Sequence, residues 1–408
     1  MAIIVQKYGG KSLATPQLMK DVVKRILKNR KPDDQLVIVV SAMGNTTDNL
    51  ISKSQQITDH PNPREMDVLL SIGEIESTAM MAMAFEAEGV PAISFNGPQA
   101  GITTDTRFTQ SKLLRINPRR VQEELNIGKV VVVAGFQGVS PNGDITTLGR
   151  GGSDLTAVAL AAALKAEVCE KYTDEIGVFT ANPKLVKDAR KINVISYDEM
   201  IEMTSLGAKV LQSRSVIFAK KNNVNIRVRS SIIDDEGTLI TKEAKEMEKA
   251  TVAYIIPSKN EAKITISGVP DKPGIAAKVF SALAENEVSV DMIIQNVSEQ
   301  GKTDITFTVE QNRVKDALKV ANGLKTDIGA RNVKGDDKIG KISVVGLGMR
   351  SAPGVASTMF EALSKKGINI EMISTSEIRI SCIIREDKLD EAVQILHDRF
   401  QLGTKKMG

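Results

Sequence analysis

The chain has 408 residues, of which 42% are hydrophobic, 25% are charged and only 3% are aromatic. Its 54 Lys and Arg residues against 50 Asp and Glu residues leave a formal net charge of +4, with both signs interspersed. This balance and the scarcity of aromatic side chains argue against nucleic acid and membrane partners, and the length predicts two or three domains.

The first part of the chain, residues 1–232, alternates strand-like and helix-like segments. The predicted strands are AIIVQKY, QLVIVVSAMG, PAISFNG, KVVVVAGFQG, EVCEKYT and VNIRVRS. Several are continuous Val/Ile runs, as in strands covered on both faces. Helices are predicted to begin near Thr15-Pro16, to run from about Arg64 to Glu88, and to follow Asp154 and Leu206. We therefore expect an α/β domain with a mainly parallel sheet, apart from a hairpin in GVSPNGDITTLG that turns at Asn142-Gly143.

The composition of the sequence changes after residue 232. Residues 233–250 are strongly charged and predict a linker that ends in a short helix. An internal repeat follows, in which AKITISGVPDKPGIAAKVFSALAENEVSVDMIIQ aligns with GKISVVGLGMRSAPGVASTMFEALSKKGINIEMIST. Asp291-Met292 of the first copy matches Glu371-Met372 of the second. Each copy has the βαββαβ order of a ferredoxin-like unit, so we expect two small domains over 251–335 and 336–408.

Cysteine and histidine usage narrows the class of protein. Cys169 and Cys382 stand far apart among apolar residues, which indicates unreactive thiols in a reducing compartment and hence a cytoplasmic protein. His60 and His397 are too few for a histidine-rich metal site, and we assign no metal ligand. No apolar run approaches the ~18 residues of a membrane span, and the N-terminus lacks a signal-peptide pattern.

The end of the first predicted strand, VQKYGGKS, carries groups suited to phosphate. Gly9 and Gly10 leave backbone amides uncovered, and Lys7 offers a positive charge beside them. The segment is not a P-loop, because Val5 stands where that pattern needs its leading glycine. Two glycines after a strand are equally typical of a tight turn that binds nothing.

A second such segment, GRGGSDLTAVAL, opens a predicted helix. Arg150 can grip a carboxylate through two parallel hydrogen bonds, and the amides of Gly151, Gly152 and Ser153 favour negative charge. Asp154 alone would be typical of a helix cap, but a cap explains neither the arginine nor the two glycines.

Three further segments carry polar side chains near predicted strand ends or helices. Ser41 and Thr47 lie in SAMGNTTDNL, Glu74 lies in LLSIGEIES, and Asp174 lies in KYTDEIGVFTANP. Taken singly, they are typical of a cap, a solvated helix face and a loop. Because the carboxyl ends of parallel strands meet at one edge of a sheet, we expect these segments to converge on a crevice suited to phosphoryl transfer.

Together these segments resemble the aspartokinases. The resemblance lies in VQKYGG, VVSAMG, REMDVLLSIGE, GFQGVSPNGDITTLGRGGSD, YTDEIGVFTANP and GAKVLQSRSV, and for the paired regulatory ACT domains in PDKPGIAAKVF, VDMIIQNVS and NIEMISTSEIRIS. It covers essentially the whole chain in order. It implies a three-layer amino-acid kinase fold followed by two ACT domains. It also implies an enzyme that uses ATP and Mg²⁺ to phosphorylate L-aspartate to 4-phospho-L-aspartate, the first step towards lysine, threonine, methionine and, in bacteria, diaminopimelate.

The resemblance also implies roles for residues of the catalytic domain. Arg150 would hold the α-carboxylate of aspartate, Glu74 would hold its ammonium, and Lys7 would meet the transferring phosphoryl group while Asp154 organises the site. The other implied substrate residues are Ser41, Thr47, Gly151, Gly152 and Ser153, and the other implied ATP residues are Tyr8, Gly9, Gly10, Thr173, Asp174, Phe179, Pro183, Lys184 and Lys209.

For the ACT domains, the resemblance implies a homo-oligomer and feedback by lysine, threonine or both. The implied effector residues are Asp271, Pro273, Gly274, Ile275, Ala276, Asp291, Gln295, Val355, Ala356, Asn369 and Ser376. A strand at 251–257 would be lent to the second ACT domain. Turn formation and core packing explain many of these residues equally well.

The chain departs from the family pattern at three places. Lys11 replaces the usual Ser or Thr, Asn182 replaces an Asp, and TTDTRFTQSKLLRI lacks the His that usually follows the equivalent of Arg107. We expect Lys11 to point into the site and to tighten ATP binding. Two alternatives remain open: a regulatory or sensor paralogue with weakened catalysis, and a kinase acting on an acetylated glutamate or a carbamate, which Glu74 and the ACT pair disfavour.

Overall fold

A computed structural model describes residues 2–208, 210–242, 252–296 and 301–403. The chain divides into two compact units, Met1–Val178 with Lys191–Glu246 and Phe179–Arg190 with Met247–Gly408. Residues 179–190 therefore depart from the contiguous 1–232 domain that the sequence predicts. The physical reason is that Ala181, Val186 and Ala189 pack into the hydrophobic core of the second unit.

Strands and helices alternate along most of the chain before residue 242. The strands are β1 (Ile3–Tyr8), β2 (Gln35–Val40), β3 (Ala92–Phe95), β4 (Ile102–Thr104), β5 (Leu113–Ile116), β6 (Val130–Ala134), β7 (Gln137–Val139), β8 (Ile145–Thr147), β9 (Val168–Thr173), β10 (Val178–Phe179), β11 (Lys191–Ile192), β12 (Val194–Ser196), β13 (Ile226–Ser230) and β14 (Thr238–Thr241). The helices are α1 (Pro16–Asn29), α2 (Thr46–Gln55), α3 (Pro63–Ala87), α4 (Arg119–Asn126), α5 (Gly152–Leu164), α6 (Tyr197–Ser205) and α7 (Ser213–Asn222), with a 3₁₀ helix at Gly10–Leu13.

The first unit is built on an eight-stranded sheet of order β12-β14-β13-β9-β1-β2-β6-β3. Neighbouring strands pair in parallel, apart from the antiparallel pair of β13 with β14. Every strand that the sequence predicts for this domain lies in the sheet, so the mainly parallel α/β architecture is confirmed. The central strands β2 and β6 are buried along nearly their whole length, as their continuous Val/Ile runs indicate.

Local signals set the ends of several elements. Thr15 accepts a hydrogen bond from the Leu18 amide at 3.2 Å and so caps α1, as predicted. The predicted hairpin forms between β7 and β8, with Gly143 at a φ of +87°. The helix expected just after Leu206 begins only at Ser213, because Gly207, at a φ of +102°, ends α6 first.

Helix α3 (Pro63–Ala87) is long and apolar enough, by length and composition alone, to cross a membrane. In this fold it is a core helix instead. Met81 and Phe85 are fully buried and pack in the same cluster as Ile38 of β2 and Val132 of β6.

Strand β14 lies inside the 233–250 segment for which the sequence predicts a linker. Gly237 turns the chain into this strand at a φ of +73°, and a Cβ there would lie 1.9 Å from the Val228 carbonyl oxygen. Glycine therefore allows the hairpin, and Thr238 and Ile240 are buried in the sheet. The predicted short helix at the end of the linker falls on residues outside the described part of the chain.

The second unit contains the sequence repeat. Its strands are β15 (Tyr254–Pro270), β16 (Ile293–Gln295), β17 (Lys302–Glu310), β18 (Asn332–Val345), β19 (Met372–Thr375) and β20 (Arg379–Arg385), and its helices are α8 (Ile275–Glu285), α9 (Val314–Leu324), α10 (Val355–Ser364) and α11 (Leu389–Arg399). The strands form one antiparallel sheet of order β16-β17-β15-β18-β20-β19. Each copy of the repeat thus has the ferredoxin-like layout, and the two copies share one sheet.

The sharing follows from the two long strands, β15 and β18. Residues 254–258 of β15 pair with residues 341–345, the first strand of the second copy. The other half of β15 is the first strand of the first copy, and it pairs with residues 332–339 of β18. The structure therefore gives the second copy its fourth strand from residues 254–258, which overlap the 251–257 segment for which the sequence predicts such a loan.

Candidate active site

Side chains from several elements of the first unit line one cavity of about 740 Å³. Those predicted from the sequence are Lys7, Gly10, Ser41, Thr47, Glu74, Arg150, Gly151, Gly152, Ser153 and Asp154. They come from the carboxyl ends of β1 and β2, from α3 and from the start of α5, which is the edge of a parallel sheet where ligands usually bind.

Two lysines hold one buried carboxylate on the cavity wall. The Asp154 side chain is 6% exposed, and its Oδ1 and Oδ2 atoms lie 2.9 Å from Lys7 Nζ and 2.5 Å from Lys171 Nζ. Burial alone would raise the pKa of Asp154, but the charges of Lys171 and Lys7 outweigh burial and lower this pKa to about 2. We call Lys7, Asp154 and Lys171 the lysine-rich triad; it carries one surplus positive charge.

Sequence reasoning missed Lys171. The signal was present, since a lysine in the middle of the strand VCEKYT interrupts an otherwise buried segment. Its meaning depends on the strand order, which puts β9 beside β1 and makes Lys7 and Lys171 direct Cα partners. Two directly paired residues of adjacent strands point to the same face of a sheet, so both ammonium groups reach Asp154.

The two glycines after β1 have different physical reasons. A Cβ at Gly10 would lie 2.3 Å from the Ala42 carbonyl oxygen, so glycine is required for the approach of the chain that follows β2. A Cβ at Gly9 would meet only Lys7 Nζ, at 3.8 Å. Packing therefore does not require glycine at position 9, and the missing side chain leaves room for an anionic group beside the Lys7 ammonium.

Glu74 is a buried carboxylate with one unpartnered oxygen. Its side chain accepts a hydrogen bond from the Ala42 amide at 3.1 Å through Oε1, while Oε2 has no hydrogen-bond partner among the described residues. Burial raises the pKa of Glu74 to about 7, although the Ala42 amide and the Lys7 charge oppose the shift. The neighbouring Gly73 brings α3 close, because a Cβ there would lie 2.7 Å from the Ala42 Cβ. An ammonium ligand would satisfy the free oxygen.

The segment GRGGSD forms the turn into α5 and the first residues of that helix. Gly151 caps the helix at a φ of +73°, and a Cβ there would lie 1.8 Å from the Gln212 side chain. Arg214 holds the preceding turn by donating to the Leu148 carbonyl oxygen at 2.8 Å. Arg150 is exposed on the cavity wall, and no hydrogen bond or ion pair engages its guanidinium within the described ranges. A rigid turn therefore presents a free guanidinium at the mouth of a helix.

Other predicted ATP residues lie elsewhere or outside the description. The Tyr8 ring is 3% exposed and stacks on Tyr172 at a centroid distance of 4.6 Å, so its side chain does not line the cavity. Thr173 ends β9 and Asp174 follows it, and neither lines the cavity. Phe179, Pro183 and Lys184 belong to the second unit, and Lys209 lies outside the described residues.

Lys11 lies at the cavity rim. Its side chain is 87% exposed, and its Nζ lies 3.3 Å from Asp174 Oδ2. Lys11 is among the residues that line the cavity, but water surrounds most of its side chain, so its charge is largely screened. Sequence reasoning also missed part of the lining, namely Ala42, Phe136, Gly149, Thr204, Gly207, Ala208, Leu211 and Gln212, most of which offer backbone or apolar surface.

The predicted effector residues fall into corresponding places of the two repeat copies. Asp271, Pro273, Gly274, Ile275 and Ala276 form the turn into α8, Val355 and Ala356 begin α10, and Asp291, Gln295, Asn369 and Ser376 lie beside or at the ends of β16 and β19. The two turns match closely, with Gly274 at a φ of +95° and Gly354 at +100°. The predicted residues therefore occupy corresponding positions in the two copies, and their role in effector binding stays a prediction.

Asp291 also belongs to a buried ion cluster. Lys341 Nζ lies 2.5 Å from Asp291 Oδ2 and 2.7 Å from Glu261 Oε1, and the Lys341 side chain is 6% exposed. We call Glu261, Lys341 and Asp291 the acidic triad; it carries one surplus negative charge. The repeat-related pair Lys263 and Glu371 is also ion-paired, so each copy's first strand holds the other copy's acidic residue.

Comparisons with known proteins agree with this architecture. The family model described as the amino acid kinase family matches residues 2–230, and the ACT domain model matches residues 264–323 and 342–400. An aspartokinase from Mycolicibacterium smegmatis is 50% identical over 408 residues, covering 99% of this chain and 97% of that protein. An aspartate kinase from Stutzerimonas stutzeri is 50% identical over 405 residues, covering 99% and 98%. The crystal structure of E. coli aspartokinase III with aspartate and ADP shares the fold, with a TM-score of 0.81 at 23% identity over 97% of this chain and 99% of that one.

Proposed function

Because this chain belongs to the aspartokinases of the amino acid kinase family, we infer that it is an aspartate kinase that transfers the γ-phosphoryl group of ATP to the side-chain carboxylate of L-aspartate. The product is 4-phospho-L-aspartate, and the ACT domains regulate the reaction. One observation carries the proposal: a single cavity holds a surplus positive charge, a carboxylate with a free oxygen and a free guanidinium. These three features match a phosphoryl group and the two ends of an amino acid.

We propose that Arg150 and Glu74 bind the amino-acid end of aspartate. The planar guanidinium of Arg150 can accept the α-carboxylate in a fork of two hydrogen bonds, which a lysine cannot reproduce. The unpartnered Oε2 of Glu74 suits the α-ammonium. Ser41, Thr47 and the amides of Gly151, Gly152 and Ser153 remain predicted contacts of the substrate.

The lysine-rich triad supports phosphoryl transfer by charge neutralisation. The acceptor carboxylate of aspartate is already ionised near neutral pH, so no general base is needed. We propose that Lys7 turns from Asp154 towards the transferring phosphoryl group, in the space beside Gly9. Lys171 would keep Asp154 paired while Lys7 moves, so that no buried carboxylate is left alone.

Mg²⁺ would reach this site as the ATP complex. The carboxylates among the described lining residues are Glu74 and Asp154, and both oxygens of Asp154 already face lysines. The chain therefore fits a Mg²⁺ ion that is held by phosphate oxygens and water rather than by a protein cage. A Mg²⁺ ion held in this way would supply charge neutralisation at the phosphates. The assignment of Thr173, Asp174, Phe179, Pro183, Lys184 and Lys209 to nucleotide binding stays a prediction.

For regulation we propose that lysine, threonine or both bind the turns before α8 and α10, in a homo-oligomer formed through the ACT domains. The matched turns at Gly274 and Gly354 support two related binding places. We also propose a cytoplasmic enzyme, which the two buried free thiols Cys169 and Cys382 support.

An assay of ATP- and aspartate-dependent acyl-phosphate formation, trapped as the hydroxamate, tests the activity. In Arg150→Lys we expect the KM for aspartate to rise about tenfold or more while the KM for ATP changes little, because a point charge replaces the fork. Lys112→Arg, outside the cavity lining, serves as a charge-preserving control. Equal losses for both substrates would assign Arg150 a structural role. Amino-acid binding without any turnover would favour the regulatory paralogue instead.

A further inference from the structure

A cluster of potential metal ligands lies in the second unit. His397 and Asp398 stand in the last turn of α11, and Asp188 lies in the 179–190 segment. One ligand atom from each of the three residues lies within 4.8 Å of the others. The His397 side chain is 0% exposed, whereas the Asp188 side chain is 52% exposed.

The hydrogen bonds of Thr180 determine which nitrogen of His397 carries the proton. The Thr180 hydroxyl lies 3.2 Å from the Leu402 carbonyl oxygen, which can only accept, so the single hydroxyl proton points there. The same hydroxyl oxygen accepts the Arg190 backbone amide at 3.0 Å. With Nε2–H donating across the 3.0 Å to this oxygen, all three contacts are satisfied at once, because the hydroxyl then donates only to Leu402. A neutral ring then has a bare lone pair on Nδ1.

That lone pair faces negative charge. Nδ1 has no hydrogen-bond partner among the described residues, and its nearest ion-pair oxygen is Asp188 Oδ1 at 3.9 Å. One ligand atom from each of His397, Asp188 and Asp398 lies within 4.8 Å of the others, and Nδ1 is the buried atom of these side chains that is left without a hydrogen bond within the described ranges. A cation at this place would satisfy that buried atom.

We propose that His397 Nδ1, Asp188 and Asp398 bind a divalent first-row transition cation of the Zn²⁺ class. One imidazole nitrogen with two carboxylate oxygens is a donor set that such cations accept, with water completing the shell. The Thr180 hydroxyl plays the usual outer-shell role, because it fixes the ring tautomer and orientation. Donor atoms around a tetrahedral Zn²⁺ ion lie roughly 3.4 Å apart, and the two exposed aspartates have the rotamer freedom to close from their present positions.

The site would fasten the 179–190 segment to the C-terminal end of α11. The two already meet through the Ala189–Gly403 bridge and through Thr180 with Leu402. A bound cation would add to these links and to the Thr180–His397 contact. It would stabilise the folded second unit by mass action, since the unfolded chain does not assemble the three ligands.

Calorimetric titration of the full-length, tag-free, metal-stripped protein with ZnCl₂, in the absence of nucleotide, tests the proposal. We expect one equivalent to bind, and the affinity to fall about tenfold or more in Asp188→Asn and in His397→Gln. Co²⁺ should give a visible absorption band in the wild type that both variants lose. The thermal midpoint of the wild type should rise with added Zn²⁺, and that rise should vanish in the variants.

The chain offers matched controls, because it contains only one other histidine. His60→Gln and Asp59→Asn change an exposed histidine and an exposed aspartate of the first unit, and both should bind Zn²⁺ like the wild type. If His397→Gln fails to fold, the Zn²⁺ affinity of Asp188→Asn, which changes an exposed side chain, tests the proposal by itself. Absence of Zn²⁺ binding to the wild type, or an unchanged affinity in Asp188→Asn, would overturn the proposal.

Discussion

The lysine-rich triad of the first unit and the acidic triad of the second are built alike but carry opposite surplus charge. In each, a buried central ion has two partners of the opposite sign within 3 Å. The first triad lines an open cavity, whereas in the second Asp291 is 43% exposed. A surplus charge that is partly withdrawn from water favours a counter-ion. The lysine-rich triad is therefore suited to an anion, and the acidic triad is suited to a cation such as an amino-acid ammonium.

Removing the lysine that faces the cavity should have the largest effect. In Lys7→Ala we expect kcat to fall by roughly 10²–10³ or more, because a charge aimed at the transferring group is lost. Aspartate binding, measured by calorimetry, should persist, since Arg150 and Glu74 are intact. Lys11→Ala, which removes an exposed lysine four positions away, is the matched control and should retain near-normal kcat. Loss of aspartate binding in Lys7→Ala would indicate misfolding rather than lost catalysis.

The central ion of the acidic triad should matter for stability instead. Lys341→Met leaves the Glu261 carboxylate buried without its partner, and removing one partner of a buried pair destabilises by about 3 kcal/mol or more. Urea denaturation should therefore show earlier unfolding of the second unit, while kcat at saturating substrate stays near normal. Lys259→Met, which breaks an ion pair that is half exposed on both sides, should change the midpoint little. An unchanged urea midpoint in Lys341→Met would show that the acidic triad does not stabilise the second unit.

The second lysine of the lysine-rich triad tests whether Asp154 needs two partners. In Lys171→Met we expect kcat to fall about tenfold, less than in Lys7→Ala, because Lys7 must then stay with Asp154 rather than turn to phosphate. The KM for aspartate should not move. Lys171→Arg, which keeps the charge, should recover most of kcat. A Lys171→Met enzyme with normal kcat would show that Lys171 only fills space.

The role of Lys171 could not be predicted from the sequence, whereas the parallel sheet and the place of Arg150 could. Periodicity and Val/Ile runs were enough for the parallel sheet, and the glycine and arginine pattern of GRGGSD was enough to place Arg150 at the mouth of α5. Both signals are local in the chain. The partner of Asp154 depended on which strands are neighbours, and β9 lies beside β1 only through a crossover of more than 150 residues.

The shared sheet of the second unit was predicted only in part. The loan of a strand at 251–257 to the second copy was expected, but the repeat itself predicts two separate ferredoxin-like copies. Nothing local separates one long strand serving two copies from two short strands serving one copy each. The 179–190 segment is similar, because its apolar residues Val186 and Ala189 suit any core, and only the tertiary structure shows that they join the second.

The ionisation of Glu74 should make kcat/KM for aspartate depend on pH. The pKa of this buried carboxyl is raised to about 7, so the neutral form dominates below that pH and the anion that should bind the substrate ammonium dominates above it. We expect kcat/KM for aspartate to fall as pH drops below 7, approaching about tenfold per pH unit. In Glu74→Gln the activity should be low and this dependence absent. A fall that begins only near the usual pKa of glutamate, about 4.3, would show that burial does not shift the group.

The smallest effect is expected at Lys11, the lysine that departs from the family pattern. From the sequence alone, an extra cation beside the phosphate loop should tighten ATP binding. In the structure the side chain is 87% exposed and faces the half-exposed Asp174, so solvent and salt screen its charge. We therefore expect Lys11→Ser to change the KM for ATP by less than about twofold at either low or high ionic strength. A several-fold rise at low salt that shrinks at high salt would show that the ammonium reaches the triphosphate after all. The contrast with Lys7 then rests on burial. The two lysines are only four positions apart, but only Lys7 is withdrawn from water beside a carboxylate that can release it.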